Sequence, residues 1–186
     1  MHLELKTLDD AFSAAQADAQ SLIAGLTETQ AAWRPNPSAW SISECLDHLA
    51  ITNRIYLVTM QPVADDVRRQ NKMRRRPALP GFFGAKFVAS LEPPSKMKSK
   101  SPQSIRPRAT LTLADAFSTF LASHIDAQNF LRANADLDLA AIRFQNPFIK
   151  FLRFSLATGL HAIPAHERRH LHQARAVLTA SQAKPT

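Results

Sequence analysis

His166 and His170 stand four residues apart in the pattern H-x-x-x-H. Four residues advance an α-helix by about 400°, so both imidazoles leave the same face roughly one turn apart and can share a divalent metal ion. Spacing alone more often reflects two ordinary surface or core histidines than a ligand pair. On a helical wheel, however, the pair lines up with Gly159, Ile163, Ala174 and Val177, a mainly apolar stripe, whereas His161 and His172 point elsewhere. Inward neutral imidazoles need hydrogen-bond partners, and one shared metal satisfies both while keeping them neutral. Far upstream, His48 lies close in angle to Cys45, Thr52 and Ile55, so it can face the interior as a third ligand. Three imidazoles from two helices leave coordination positions open for water or substrate.

Such a site needs long helices to carry it, and the chain supplies them. Residues 8 to 25 place Leu8, Phe12, Ala15, Ala19, Leu22 and Ile23 at helical spacing. Thr27 and Gln30 form a capping signature for a short helical turn that Pro35 and Pro37 stop. Ser41 and Glu44 form a second capping box, opening a helix from about 42 to about 70. Six prolines between Pro77 and Pro107 make residues 71 to 110 a mostly irregular crossover, with a short amphipathic helix expected over Gly81 to Leu91. Thr112 and Asp115 open a third long helix. A fourth is expected from near Pro147 or Ile149 to about Leu178, with Pro164 removing one hydrogen bond and kinking it just before the histidines. No alternating strand segment or internal repeat stands out. The expectation is an all-α fold, a four-helix bundle in a single domain over residues 1 to 186, with its core from about 8 to 180.

Composition narrows the chemistry. Cys45 is the only cysteine, which excludes an internal disulfide and a multi-cysteine zinc site. With four glycines there is no phosphate-cradling motif. No apolar run approaches the ~20 residues of a membrane span and the N-terminus carries Asp9 and Asp10, so a cytoplasmic protein without a membrane partner is expected. The net charge of +8 is uneven: residues 68 to 108 hold twelve Lys or Arg against one acid, Glu92, leaving the remainder net acidic. That block reads first as a solvated basic connection, and second as a surface for the phosphates of nucleic acid or a membrane.

The segment Trp33-Arg-Pro35-x-Pro37-x-x-Trp40-Ser41-Ile42-x-Glu44-x-x-x-His48-Leu49, followed downstream by His166-Glu-x-Arg-His170-Leu-x-Gln173, resembles the DinB-like (DinB/YfiT) superfamily over nearly the whole chain. The resemblance implies an up-down-down-up four-helix bundle with the long basic crossover between its second and third helices. It also implies a divalent metal, nickel or zinc, held by His48, His166 and His170. Some members are transferases or isomerases that use a low-molecular-weight thiol, and many form homodimers.

Other residues carry two readings each. Trp33 and Trp40 read as core anchors for the entry into the second long helix, with ligand stacking the lesser reading. Gln173 reads as a packing residue or as a partner for a ligand histidine. Glu44 is the capping partner of Ser41 and, one turn before His48, a candidate to orient that ring. Glu167 projects about 100° from His166 and reads as solvent-facing. Cys45 reads as a small hydrophobe, with a metal-activated thiolate the alternative.

The expected function is a metal-dependent enzyme that activates a thiol, or water in a hydrolase, against an electrophilic small molecule. The alternatives are a non-catalytic, metal-braced stress-associated protein and, least favoured, a nucleic-acid binder.

Overall fold

The computed structural model describes residues 2–71, 73–94, 101–108 and 111–183. The caps read from the sequence are formed. Thr27 Oγ1 accepts from Gln30 N and Gln30 Oε1 accepts from Thr27 N, opening α2 (Glu28–Ala32). In the same way Ser41 Oγ accepts from Glu44 N at 3.2 Å and Glu44 Oε2 accepts from Ser41 N at 2.9 Å, opening α3 (Ile42–Arg69). Each box satisfies two amide donors that a helix start leaves without partners. Before them, α1 (Leu3–Ile23) starts five residues earlier than the periodicity suggested, because Leu5 is buried with Leu8, Phe12, Ala15, Ala19 and Leu22. Gly25, at φ 76°, turns the chain out of it.

The amphipathic segment in the crossover forms α4 (Phe82–Leu91), and Thr112 caps α5 (Leu113–Ala133) through Asp115 N. The four long helices α1, α3, α5 and α6 (Leu156–Gln182) pack on one another, with α3 chiefly against α5 and α6. Two apolar clusters form the interior. One gathers Phe12, Met60, Leu131, Phe144 and Leu160; the other Leu22, Leu46, Leu49, Phe120 and Leu171.

Two expectations fail around residue 147. Helix α6 does not begin at Pro147 or Ile149, and the stretch before it is not strandless: β1 (Arg143–Gln145) pairs antiparallel with β2 (Arg153–Ser155). Three-residue strands are too short for alternation to show in a sequence. What stabilises them is tertiary, since the paired Phe144 and Phe154 are both buried. Between them Asn146 Oδ1 accepts from Phe148 N and Ile149 N, an Asx turn that competes with helix formation there. Ser155, the last strand residue, then caps α6 through Thr158 N at 3.1 Å.

Pro164 lies inside α6, and the helix continues through it. One absent amide donor is a small loss where Ile163, Pro164 and Ala165 are all buried by packing.

The basic crossover is less free than its composition suggests. Arg68 pairs with Asp136, Arg74 with Glu4, Arg76 with Asp138 and Arg108 with Asp47. Lys72 and residues 95 to 100, with their three lysines, lie outside the described residues.

Gly159 marks a close packing of α6. A Cβ there would stand 2.7 Å from Met60 Sδ and 2.8 Å from Phe144 Cζ, nearer than carbon tolerates. Gly159→Ala is therefore expected to destabilise the fold by about 1–2 kcal/mol, overpacking outweighing the ~1 kcal/mol of helix propensity that alanine gains. Urea unfolding of the variant checks this, and an unchanged or raised midpoint would contradict the packing described.

Candidate metal centre

His48 comes from the second turn of α3, and His166 and His170 from consecutive turns of α6. Their side chains converge so that one ligand atom from each lies within 4.8 Å of the others. The ring centroids of His48 and His170 are 4.6 Å apart, those of His166 and His170 4.6 Å, and those of His48 and His166 5.1 Å. His48 and His170 are buried; His166 is partly exposed. Pro164, two residues before His166 in the same helix, leaves this convergence intact.

The far side of each anchored ring is held. His48 Nδ1 lies 2.6 Å from the carbonyl oxygen of Ile105, which can only accept, so Nδ1 carries the proton and Nε2 keeps its lone pair. His170 Nδ1 lies 3.1 Å from Gln173 Oε1, giving the same tautomer. Gln173 is thus the partner of a candidate ligand rather than only a packing residue. Protonation is disfavoured throughout. Burial lowers His48, burial and the two neighbouring rings hold His166 well below its ordinary value, and burial together with His48 and Arg169 brings His170 to about 3. Three neutral imidazoles with inward lone pairs are a donor set that fits a first-row divalent ion, so the residues present could hold one.

These histidines line a cavity of about 1020 Å³. Its walls come from α3 (Thr52, Tyr56), the C-terminal half of α4 (Phe87, Leu91), the crossover (Ile105, Arg106), the hairpin loop (Asn146, Phe148, Ile149) and α6 (Arg169, Gln173). Burial raises the Tyr56 phenol, so it stays protonated as a possible donor. Trp40 packs on the second apolar cluster, as its core reading expects, and its ring lies 4.6 Å from that of His48 and 5.7 Å from that of His170. Trp33 packs on the same cluster.

The remaining candidates fall outside the cavity or at its edge. Cys45 is buried among apolar side chains, and burial, reinforced by Glu44, raises its thiol far from the thiolate range. Glu44 serves its capping box and pairs with Arg34 at 2.7 Å. His161 Nε2 bonds the Ala78 carbonyl at 3.2 Å. His172 lies outside the group of three but on the cavity wall.

Glu167 is the correction. It is not solvent-facing but fully buried, pointing between α3 and α5. Its Oε1 accepts from Asn53 Nδ2 at 2.8 Å, and both oxygens lie 3.0 Å from His124 Nδ1. The 100° offset from His166 was right, but that direction leads into the protein, because α6 is covered on two sides. Its sequence neighbours Ile163 and Leu171, one turn either way, were the available signal. Neither Asn53 nor His124 belongs to a spacing motif, so nothing local marks them as partners of Glu167. This cluster keeps Glu167 away from the cavity, so it has no role as a base there.

Comparison with family models matches residues 11–174 to the DinB superfamily. Comparison with curated proteins and with solved structures gave no match. The match covers most of the chain, which therefore belongs to the DinB superfamily.

Two outcomes follow for the metal-free protein. The unfolded chain takes up protons on these imidazoles below about pH 6.5 while the folded protein resists, so stability is complete above that pH and declines as pH falls towards the folded values. The slope is up to about 1.4 kcal/mol per pH unit for each imidazole. Denaturant midpoints should stay level from about pH 7.5 to about 6.5 and fall from there to about pH 5.5, still above the range in which ordinary carboxylates titrate; a profile flat down to about pH 5.5 would refute the depressed values. Glu167→Ala should cost about 3 kcal/mol, since it strands His124 and Asn53 without their buried partner. A loss within the surface range of about 0.5 kcal/mol in thermal or urea unfolding would show the cluster to be dispensable.

Proposed function

We propose that the chain is a divalent-metal-dependent enzyme that activates a low-molecular-weight thiol against an electrophilic small molecule, with His48, His166 and His170 as metal ligands. The observation that carries this reading is the convergence of three neutral imidazoles on the wall of a cavity large enough for a small-molecule ligand. A four-helix bundle of the up-down-down-up kind, with nickel or zinc as the ion, belongs to the same reading.

A bound divalent ion supplies Lewis-acid chemistry, lowering the pKa of a thiol or of water at neutral pH. The chain's own residues do the rest. The Ile105 carbonyl and Gln173 fix the orientation of two ligand rings, so that their lone pairs are set before any ion arrives. Trp40, tilted against both rings, covers that side. Tyr56 and Asn146, hydrogen-bonded to each other on the cavity wall, offer polar groups to a bound molecule. Water in place of thiol would make the same arrangement a hydrolase.

A structural brace between α3 and α6 is the second reading, favoured by the fact that the three ligands span those two helices. Nickel- or zinc-loaded protein, offered a panel of small thiols with an aryl halide or an epoxide, is expected to consume both reactants. His48→Ala should reduce consumption to background together with the metal content. A fall in melting temperature on chelation with no chemistry in any pairing, including ester hydrolysis, would favour the brace instead.

A further inference from the structure

We infer that the molecule received by this cavity carries an anionic group, a carboxylate or its equivalent, on an apolar body. Arg169 meets the anion beside the histidines, and Phe87, Leu91, Phe148 and Ile149 enclose the body. The inference rests on the metal-dependent reading only for what happens at the histidine end; the binding preference stands on the walls themselves.

Among the described residues that line the cavity, Arg106 and Arg169 are cations and none is an aspartate or glutamate. The acids nearest in sequence to the lining residues are engaged elsewhere. Asp47 holds Arg108, Glu92 holds Arg168, and Glu167 faces Asn53 and His124. The imidazoles, held neutral, bring no negative charge either. A divalent ion among them would leave the cavity strongly positive, and a cleft with low-dielectric walls focuses that potential.

Arg169 is the better placed of the two cations. It is half-buried, lines the cavity and directly precedes His170. A guanidinium presents a planar fork that matches a carboxylate. Arg106 is exposed at the rim, following the Ile105 carbonyl that holds His48. Facing these cations is a wall of aromatic and aliphatic side chains from α4 and the hairpin loop. A bare inorganic anion would satisfy the arginines and leave that wall wet. An apolar chain or ring bearing the anion satisfies both.

Calorimetry on the zinc-loaded protein with straight-chain carboxylates from acetate to octanoate, beside the matching primary amides and amines, tests this. Carboxylates should tighten by about fourfold per methylene as the apolar wall is covered. Amides should bind about tenfold more weakly or worse, and amines not at all. With zinc content unchanged, Arg169→Gln should weaken octanoate about tenfold, the scale of one charge-assisted contact, and Arg106→Gln by less. Amines or amides that match the carboxylates, or affinity flat with chain length, would overturn the inference. So would an Arg169→Gln protein that binds octanoate as tightly as the parent, since the carboxylate would then be only a zinc ligand. If Arg169→Gln does not fold, the parent series and Arg106→Gln decide. Zinc retained with no carboxylate preference sinks this inference alone; carboxylate binding with no zinc retained sinks the metal-dependent reading alone.

Discussion

The rotational setting of α6 is the constraint on which the site depends. Its residues must face two interiors at once. Glu167 and Leu171 follow one line, into the packed helices, while His166, His170 and Gln173 follow another, into the cavity, with Ile163 and Ala174 buried between the two. A helix whose two buried lines are both apolar can roll with little change in burial. Glu167 removes that freedom, because a buried carboxyl loses several kcal/mol if its partners are not met. Asn53 on α3 and His124 on α5 meet it from two directions, which fixes both the angle and the height of α6. Along their helices these three residues fall where one apolar cluster ends and the other begins. The polar layer thereby sets the register for α3, α5 and α6 together.

The crossover is tied to the same place by two consecutive residues of α3. The buried carboxylate of Asp47 accepts from Arg108 N at 2.7 Å and from its guanidinium at 2.5 Å, while His48 Nδ1 donates to the Ile105 carbonyl. Four residues of an otherwise irregular segment are thus held by one acid and one candidate ligand. The cavity wall that contains Ile105 and Arg106 cannot move without disturbing the tautomer of His48. Charge that looked like a solvated surplus in composition is here partly structural: Arg68, Arg74, Arg76 and Arg108 each fasten one part of the chain to another.

What was legible in the sequence is what local physics decides. Capping boxes need residues three apart, and both formed as read. The H-x-x-x-H pair needs one helix face, and its rings converged. His48 was legible from the angle it shares with Cys45, Thr52 and Ile55, which places it on the inward face where it is buried. The hairpin was hidden because its two strands are three residues long and its stability lies in Phe144 and Phe154 packing on helices far away in sequence. Glu167 was misread for a related reason. A glutamate is solvent-facing by default, and the two residues that reverse the default are 43 and 114 positions away. No window of sequence contains that pairing.

The burial of Glu167 also determines the character of the cavity. Metal sites often balance a divalent charge with a carboxylate ligand, and a glutamate between two histidine ligands is well placed in sequence to act on bound water. Here the intervening glutamate leaves by the other face of the helix and is consumed in holding the helices. The histidine wall is left with neutral donors, a half-buried arginine and an aromatic cover. An ion in such surroundings keeps most of its charge unbalanced by the protein, which favours deprotonation of whatever acid occupies the open positions. The same side chain that makes the helices pack in one register therefore withholds the counter-charge from the site, and the chemistry available to the cavity follows from where that carboxylate was placed.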